Sequence, residues 1–287
     1  MEESELDIVR RAYAKQVMAA AGVEDARVEA AFAAVHREDF LGPGPWPILR
    51  WGGYAPTPSN DPIYLYTDDV IGILPERHLN NGQPSLHAIL IANASPQAGE
   101  QVVHVGAGVG YYTAILAELV GPSGAVTAIE LDPGLAARAA TNFSRSPNVR
   151  AIEGDSSLIP FEPAAVIYVN AGATRPAASW LDRLKEGGRL ILPLTGNEGF
   201  RASDRGDIQR RGAVFRIEKR GTEFLARWIS AVAIFPFEGA RDAASEAALS
   251  AAFAAGGWHA VTRFYRRDDL PAEQCWLRAP GWCLAYH

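Results

Sequence analysis

The chain has 287 residues, 48% hydrophobic and 21% charged, enough to bury a full core as one large domain with additions. A net charge of −6 argues against a general nucleic-acid binder, and no apolar run is long enough to span a bilayer. Two cysteines and six scattered histidines give no metal-ligand spacing, so no metal site is expected.

The opening Met1-Glu2-Glu3-Ser4-Glu5 is acidic and lacks the basic and apolar regions of a signal peptide. A cytoplasmic location is expected, in which Cys275 and Cys283 read as reduced core thiols rather than a hairpin disulfide. Residues 5–21 carry Leu6, Val9, Tyr13 and Val17 at spacings of three and four, a helical pattern. Asp25 is a good N-cap for a second helix with the stripe Val28, Ala31, Phe32 and Val35. Leu41 to Pro62 is rich in Pro, Gly and aromatics, which predicts a long irregular segment, either a binding loop or a packed aromatic loop. A helix follows Pro84 to about Ala94.

Strand and helix patterns then alternate as far as Leu194. Val102 to Val105 forms a strand and Tyr111 to Val120 a helix; Ala125 to Ile129 and Val149 to Ile152 are two further strands. Ala165 to Val169 is the fourth strand, and a helix with Trp180, Leu181 and Leu184 closes at Gly187-Gly188. Arg189 to Leu192 is the fifth strand. Such repeats imply an α/β fold, a Rossmann-like, doubly wound and mostly parallel sheet with N-terminal helices and a C-terminal extension. Gly196 to Arg211 is polar, and Arg201, Arg205, Arg210 and Arg211 either form a solvated loop or meet an acidic substrate. Val214 to Glu218 and Phe224 to Phe235 read as late antiparallel strands, and Ala243 to Ala255 as a helix. Arg263 to Arg267 alternates like a half-exposed strand, and the stretches around Pro280-Gly281 like a terminal hairpin. The organisation expected is 1–80 as an N-terminal helical and loop region, 81–237 as a cofactor-binding domain and 238–287 as an extension.

The chemistry concentrates at the carboxyl ends of these strands, where ligands of parallel sheets bind. Gly106, Gly108 and Gly110 follow the first strand in a G-x-G-x-G spacing, with Ala107 between. A dinucleotide fingerprint wants a small residue after Gly110, where this chain has Tyr111. The observed form is the one seen in S-adenosylmethionine (SAM)-dependent methyltransferases, whose cofactor has no phosphate to cradle. A plain tight turn is the alternative. The second strand ends in Glu130-Leu131-Asp132, placing Glu130 to accept hydrogen bonds from ribose hydroxyls. The third leads to Asp155-Ser156, where a carboxylate can receive an adenine amino group.

With these motifs in place, the chain resembles the protein-L-isoaspartate O-methyltransferase family from about Asp25 to Phe237. Val28 to Phe40 is similar to the family's N-terminal helix, with its Arg37-Glu38 and Phe40. Gly82-Gln83-Pro84-Ser85 is similar to its Gly-Gln-x-x-Ser loop, one residue shorter between Gln83 and Ser85. Val169-Asn170-Ala171-Gly172 and Gly187-Gly188-Arg189-Leu190-Ile191-Leu192-Pro193 look like its fourth and fifth strands. The resemblance implies a class I SAM-dependent methyltransferase acting on isoaspartyl carboxylates of damaged proteins or peptides; the acidic balance and the lack of a spanning run argue against a nucleic-acid or membrane partner. It implies SAM contacts from His104, Gly106, Ala107, Gly108, Gly110, Glu130, Leu131, Asp155 and Ser156. His104 stands where such enzymes carry an acid. Ser85 is the residue expected at the acceptor carboxylate, with Gln83 and Asn170 holding loop or substrate, although Ser85 could instead simply cap its helix. The alternatives are a methyltransferase with another small-molecule or peptide acceptor, and a degenerate non-catalytic homologue.

Overall fold

The computed structural model describes residues 4–77, 79–196, 212–234, 236–237 and 239–287. In chain order its elements are α1 (Glu5–Ala21), α2 (Ala26–Ala34), α3 (Glu38–Leu41), β1 (Pro47–Arg50), β2 (Gly53–Pro56), β3 (Gly72–Leu74), β4 (Leu79–Asn80) and α4 (Pro84–Ala94). Next come β5 (Gln101–Val105), α5 (Tyr111–Val120), β6 (Ala125–Glu130), α6 (Pro133–Asn142), β7 (Val149–Glu153), β8 (Ala164–Val169), α7 (Ala178–Asp182) and β9 (Leu184–Thr195). The last are β10 (Gly212–Arg220), β11 (Glu223–Ala231), α8 (Ala243–Ala255), β12 (Arg263–Tyr265), β13 (Cys275–Ala279) and β14 (Trp282–Ala285). Among the described residues no helix is long and apolar enough to cross a membrane. Arg201, Arg205, Arg210, Arg211 and the expected strand end at Phe235 lie outside the described residues.

The chain divides into two compact units: Met1–Glu100 with Ala107–Gly154, and Gln101–Gly106 with Asp155–His287. In the first unit, Ser4 and Asp25 cap α1 and α2 by accepting the N–H of Asp7 and Arg27, as good N-cap side chains do. The helices bury Tyr13, Ala14, Val17, Val28, Ala31 and Phe32. Among them lies Arg37, fully buried, its guanidinium 5.5 Å from the Tyr13 and Tyr111 ring centres. Its Nη1 donates to the carbonyls of Leu65 (2.5 Å) and Thr67 (2.9 Å), so a buried cation fixes the backbone that leads to Asp68. Arg10, Glu38 and Tyr66 form a second polar cluster beside it. The stretch Leu41 to Pro62 is not wholly irregular, because β1 and β2 pair as an antiparallel hairpin across Trp51-Gly52. Prolines at both outer ends and only four residues per strand hid that period-two signal. The β6–α6–β7 segment is a parallel strand–helix–strand unit, with α6 capped by Asp132 and started by Pro133.

In the second unit the strand order is β13-β14-β12-β11-β10-β9-β8-β5. β5, β8 and β9 pair in parallel, and the rest in antiparallel fashion. The expectation that Gly187-Gly188 ends a helix is corrected: α7 stops at Asp182 and β9 already begins at Leu184. The pairing Ala164↔Leu184 is followed by Val166↔Arg189, so the glycine pair sits in a bulge of β9. Gly187 adopts φ +68°, which a bulge accommodates as readily as a helix end. The C-terminal helix α8 matches its expected bounds, and β13 and β14 form the expected hairpin with both thiols free.

Candidate functional site

The glycine loop starts where β5 ends. Gly106 takes φ +70°, and a Cβ there would lie 3.1 Å from the carbonyl oxygen of Asn170, so the two backbone segments approach at a distance only glycine permits. Asn170 itself donates its backbone N–H to Val105 O (2.8 Å) and, weakly, its amide to Gly106 O (3.4 Å). In the first unit Gly110 takes φ +100°, and a Cβ there would strike the Phe143 ring at 2.4 Å. Three of the loop's N–H groups are used within the protein: Ala107 donates to Ile129 O (3.2 Å), Gly108 to Glu130 Oε2 (2.7 Å) and Gly110 to Ala107 O (3.0 Å). A phosphate cradle needs such N–H groups aimed at the ligand. Here Ala107, Gly108 and Gly110 direct theirs at acceptors of the protein itself.

Glu130 closes β6. Its Oε1 accepts the N–H of Asp132 (3.0 Å) while Oε2 holds Gly108, which leaves lone pairs on both oxygens for further donors. Burial raises its pKa, against the lowering effect of the backbone donors at Asp132 and Gly108. Leu131 beside it is 38% exposed, an apolar surface next to the carboxylate. Asp132 accepts Leu135 N–H (2.9 Å) as the cap of α6 and pairs with Arg77 (2.5 Å). The Arg77 hydrogen bond is the main cause of its lowered pKa.

In the second unit Asp155 accepts the N–H of Ser157 through Oδ1 (2.8 Å). A Cβ on Gly239 would fall 2.3 Å from Asp155 Oδ2, so that glycine backbone lies directly against the carboxylate. Ser156 is buried, and its carbonyl accepts the Trp180 indole N–H (3.3 Å). His104 points into the core of β5 with no exposure, its ring edge-on to Tyr168 at 5.3 Å. Burial drives its pKa down to about 3, so the imidazole is neutral at physiological pH.

The acceptor candidates sit at the start of α4. Gln83 is its N-cap residue but makes no side-chain cap bond. Asp68 supplies the cap instead: it accepts Ser85 N–H (2.7 Å), Ser85 Oγ–H (2.6 Å) and Gln83 Nε2–H (3.0 Å). Tyr112 stacks on His87 at 3.5 Å between ring centres and directs its hydroxyl at Gly82 O (3.4 Å). The structure thus places Gln83 and Ser85 on one carboxylate, and Gly108 with Glu130. Sequence reasoning missed Asp68, Arg77 and Gly239. Asp68 sits in a Tyr66-Thr67-Asp68-Asp69 run that lacks any periodic pattern, and its partners lie 15 and 17 residues away.

Comparison with known proteins adds to this geometry. The family described as Protein-L-isoaspartate(D-aspartate) O-methyltransferase (PCMT) matches residues 52–224, more than half of the chain. A Thermotoga maritima protein-L-isoaspartate O-methyltransferase is 31% identical over 179 residues, covering 60% of this chain and 51% of that protein. The chain therefore spans about half the length of this curated relative. A solved protein-L-isoaspartate O-methyltransferase superposes with TM-score 0.63 at 26% identity, covering 80% of this chain and 66% of that one. A Plasmodium falciparum beta-aspartate methyltransferase in complex with S-adenosyl-L-homocysteine gives TM-score 0.60 at 16% identity, covering 80% and 98%, a likeness of fold.

Proposed function

The chain belongs to the protein-L-isoaspartate(D-aspartate) O-methyltransferase family, whose model matches residues 52–224, and from that premise we propose that it methylates a protein or peptide carboxylate of the isoaspartyl type. Its fold is the α/β fold of class I SAM-dependent methyltransferases. The observation that supports the cofactor reading is the use of the Ala107, Gly108 and Gly110 N–H groups by Glu130 and the backbone, together with the lone pairs left on Glu130. In this reading Glu130 accepts the ribose hydroxyls and Asp155 the adenine amino group. Leu131 and Ser156 flank those positions. Gly106, Ala107, Gly108 and Gly110 let the cofactor approach the main chain, and His104 supports the end of β5.

When bound, SAM supplies a methyl group on a sulfonium, an electrophile that an anionic oxygen can accept without a proton transfer. An isoaspartyl carboxylate is already ionised at neutral pH, so the chain needs no general base. Its residues instead have to orient two reactants and exclude water, which can supply about 7 kcal/mol or more. Ser85, Gln83 and Asn170 are assigned to the acceptor side. The division 1–80, 81–237 and 238–287 goes with this reading, as does a repair role in the cytoplasm. Calorimetric titration with SAM and with NAD tests the cofactor assignment. SAM is expected to bind and NAD to give no heat, and NAD binding without SAM binding would overturn it.

A further inference from the structure

The start of α4 presents three donors to one point. Ser85 N–H is one of the first helical N–H groups, which have no partner within the helix and favour an anion. The Ser85 hydroxyl and the Gln83 amide converge beside it. All three reach the carboxylate of Asp68, at 2.7, 2.6 and 3.0 Å. Ser85 is buried, 8% exposed, and its only proton donor beyond the main chain points at Asp68 Oδ2. The donor set is therefore a receptor for a carboxylate, and a carboxylate of the same chain fills it.

That arrangement conflicts with a simple reading in which Ser85 and Gln83 wait free for the substrate. A hydroxyl has one proton to give, and it cannot serve Asp68 and an incoming carboxylate together. Two carboxylates at this distance also repel. The backbone before Asp68 is held, because Arg37 takes Leu65 O and Thr67 O from within the core. The Asp68 side chain is only half-buried, so rotation about its own Cα–Cβ bond moves it out while the backbone stays. We infer that Asp68 is an internal stand-in for the acceptor, and that an acceptor carboxylate binds by displacing Asp68 from Ser85 and Gln83. The inference rests on the proposed role of these two residues at the acceptor. In it Asp68 keeps the subsite formed while no substrate is present and sets the acceptor's apparent affinity. Weakly bound carboxylates are rejected, since they must break hydrogen bonds made by a charged group, which are roughly twice as strong as neutral ones.

Asp68→Asn removes the charge and leaves an amide oxygen that can still accept Ser85 N–H. With saturating SAM, this variant is expected to lower KM for an isoaspartyl peptide on the order of tenfold, with SAM affinity unchanged. A KM that is unchanged or higher would overturn the inference while leaving the methyltransferase reading intact. Should the wild-type protein methylate no isoaspartyl peptide, the reading itself fails, and binding of acetate followed by NMR titration decides the inference separately. Tighter acetate binding by Asp68→Asn supports displacement, and equal binding contradicts it. Should Asp68→Asn unfold early in a thermal melt, Asp68→Ser, whose hydroxyl can also accept Ser85 N–H, repeats both measurements.

Discussion

At the scale of single residues, two buried titratable groups make the account testable by pH. Burial raises the Glu130 pKa above its ordinary 4.5. Ribose hydroxyls donate to the ionised form, so SAM affinity is full above the folded-state pKa and falls as the pH drops through it, in a window above 4.5. Glu130→Gln keeps the shape but not the charge. It is expected to cost about 1.5–3 kcal/mol of SAM binding and to abolish that pH dependence. Wild-type affinity and slope in this variant would remove Glu130 from the cofactor site. His104 has the opposite history: the unfolded chain takes up a proton on this imidazole near 6.5, and the folded chain not until about 3. Its neutral burial therefore contributes stability that is fully present above 6.5 and is lost as the pH falls towards 3. The loss amounts to roughly 5 kcal/mol at most. His104→Val should flatten the fall in urea-unfolding stability across that range, and an unchanged slope would mean that the folded imidazole does take up protons there.

At the scale of elements, Gly110 leaves the glycine loop little freedom, with φ +100° and the Phe143 ring against its Cα. Gly110→Ala would place a methyl group against Phe143 in a backbone conformation that side chains avoid. A loss of about 1–3 kcal/mol is expected from the strain, read as a lower urea midpoint. A midpoint equal to that of the wild type would show that the loop is free to rearrange. Elements with a strong period or a strong cap were legible in sequence: α1, α2, α4 and α8 lie close to their expected places. So do the short strands that carry Gly106, Glu130 and Asn170 to their carboxyl ends. Elements that depend on pairing were not. The bulge at Gly187-Gly188 exists because β8 pairs both before and after it, and a glycine pair in one dimension looks like a helix stop. The β1–β2 hairpin is similarly a product of cross-strand contacts between two strands too short to show alternation.

At the scale of the whole chain, the legible part of the candidate site is the part whose neighbours are close in sequence. Glu130 lies one strand after the glycine loop, at the end of β6, where it accepts the Gly108 N–H. Asp68, Arg77 and Gly239 act across distances that no local pattern reports. Asp68 reaches forward to α4, Arg77 pairs with Asp132 55 residues on, and Gly239 lies against Asp155. Each belongs to a segment without regular period, where residue choice follows the three-dimensional neighbour and not the chain. The resemblance to a methyltransferase family was readable because its motifs fall on the local elements. Fold alone does not fix the acceptor.

The central claim is that the chain transfers a methyl group from SAM to an isoaspartyl carboxylate, and a matched pair of peptides tests it most directly. The two peptides differ only in whether one aspartyl residue is linked through its side chain or its main chain, and each is incubated with methyl-labelled SAM. The account predicts base-labile label on the isoaspartyl peptide alone, with the rate reduced in Ser85→Ala at unchanged SAM affinity. Binding of SAM without label on either peptide, or equal label on both, would contradict it.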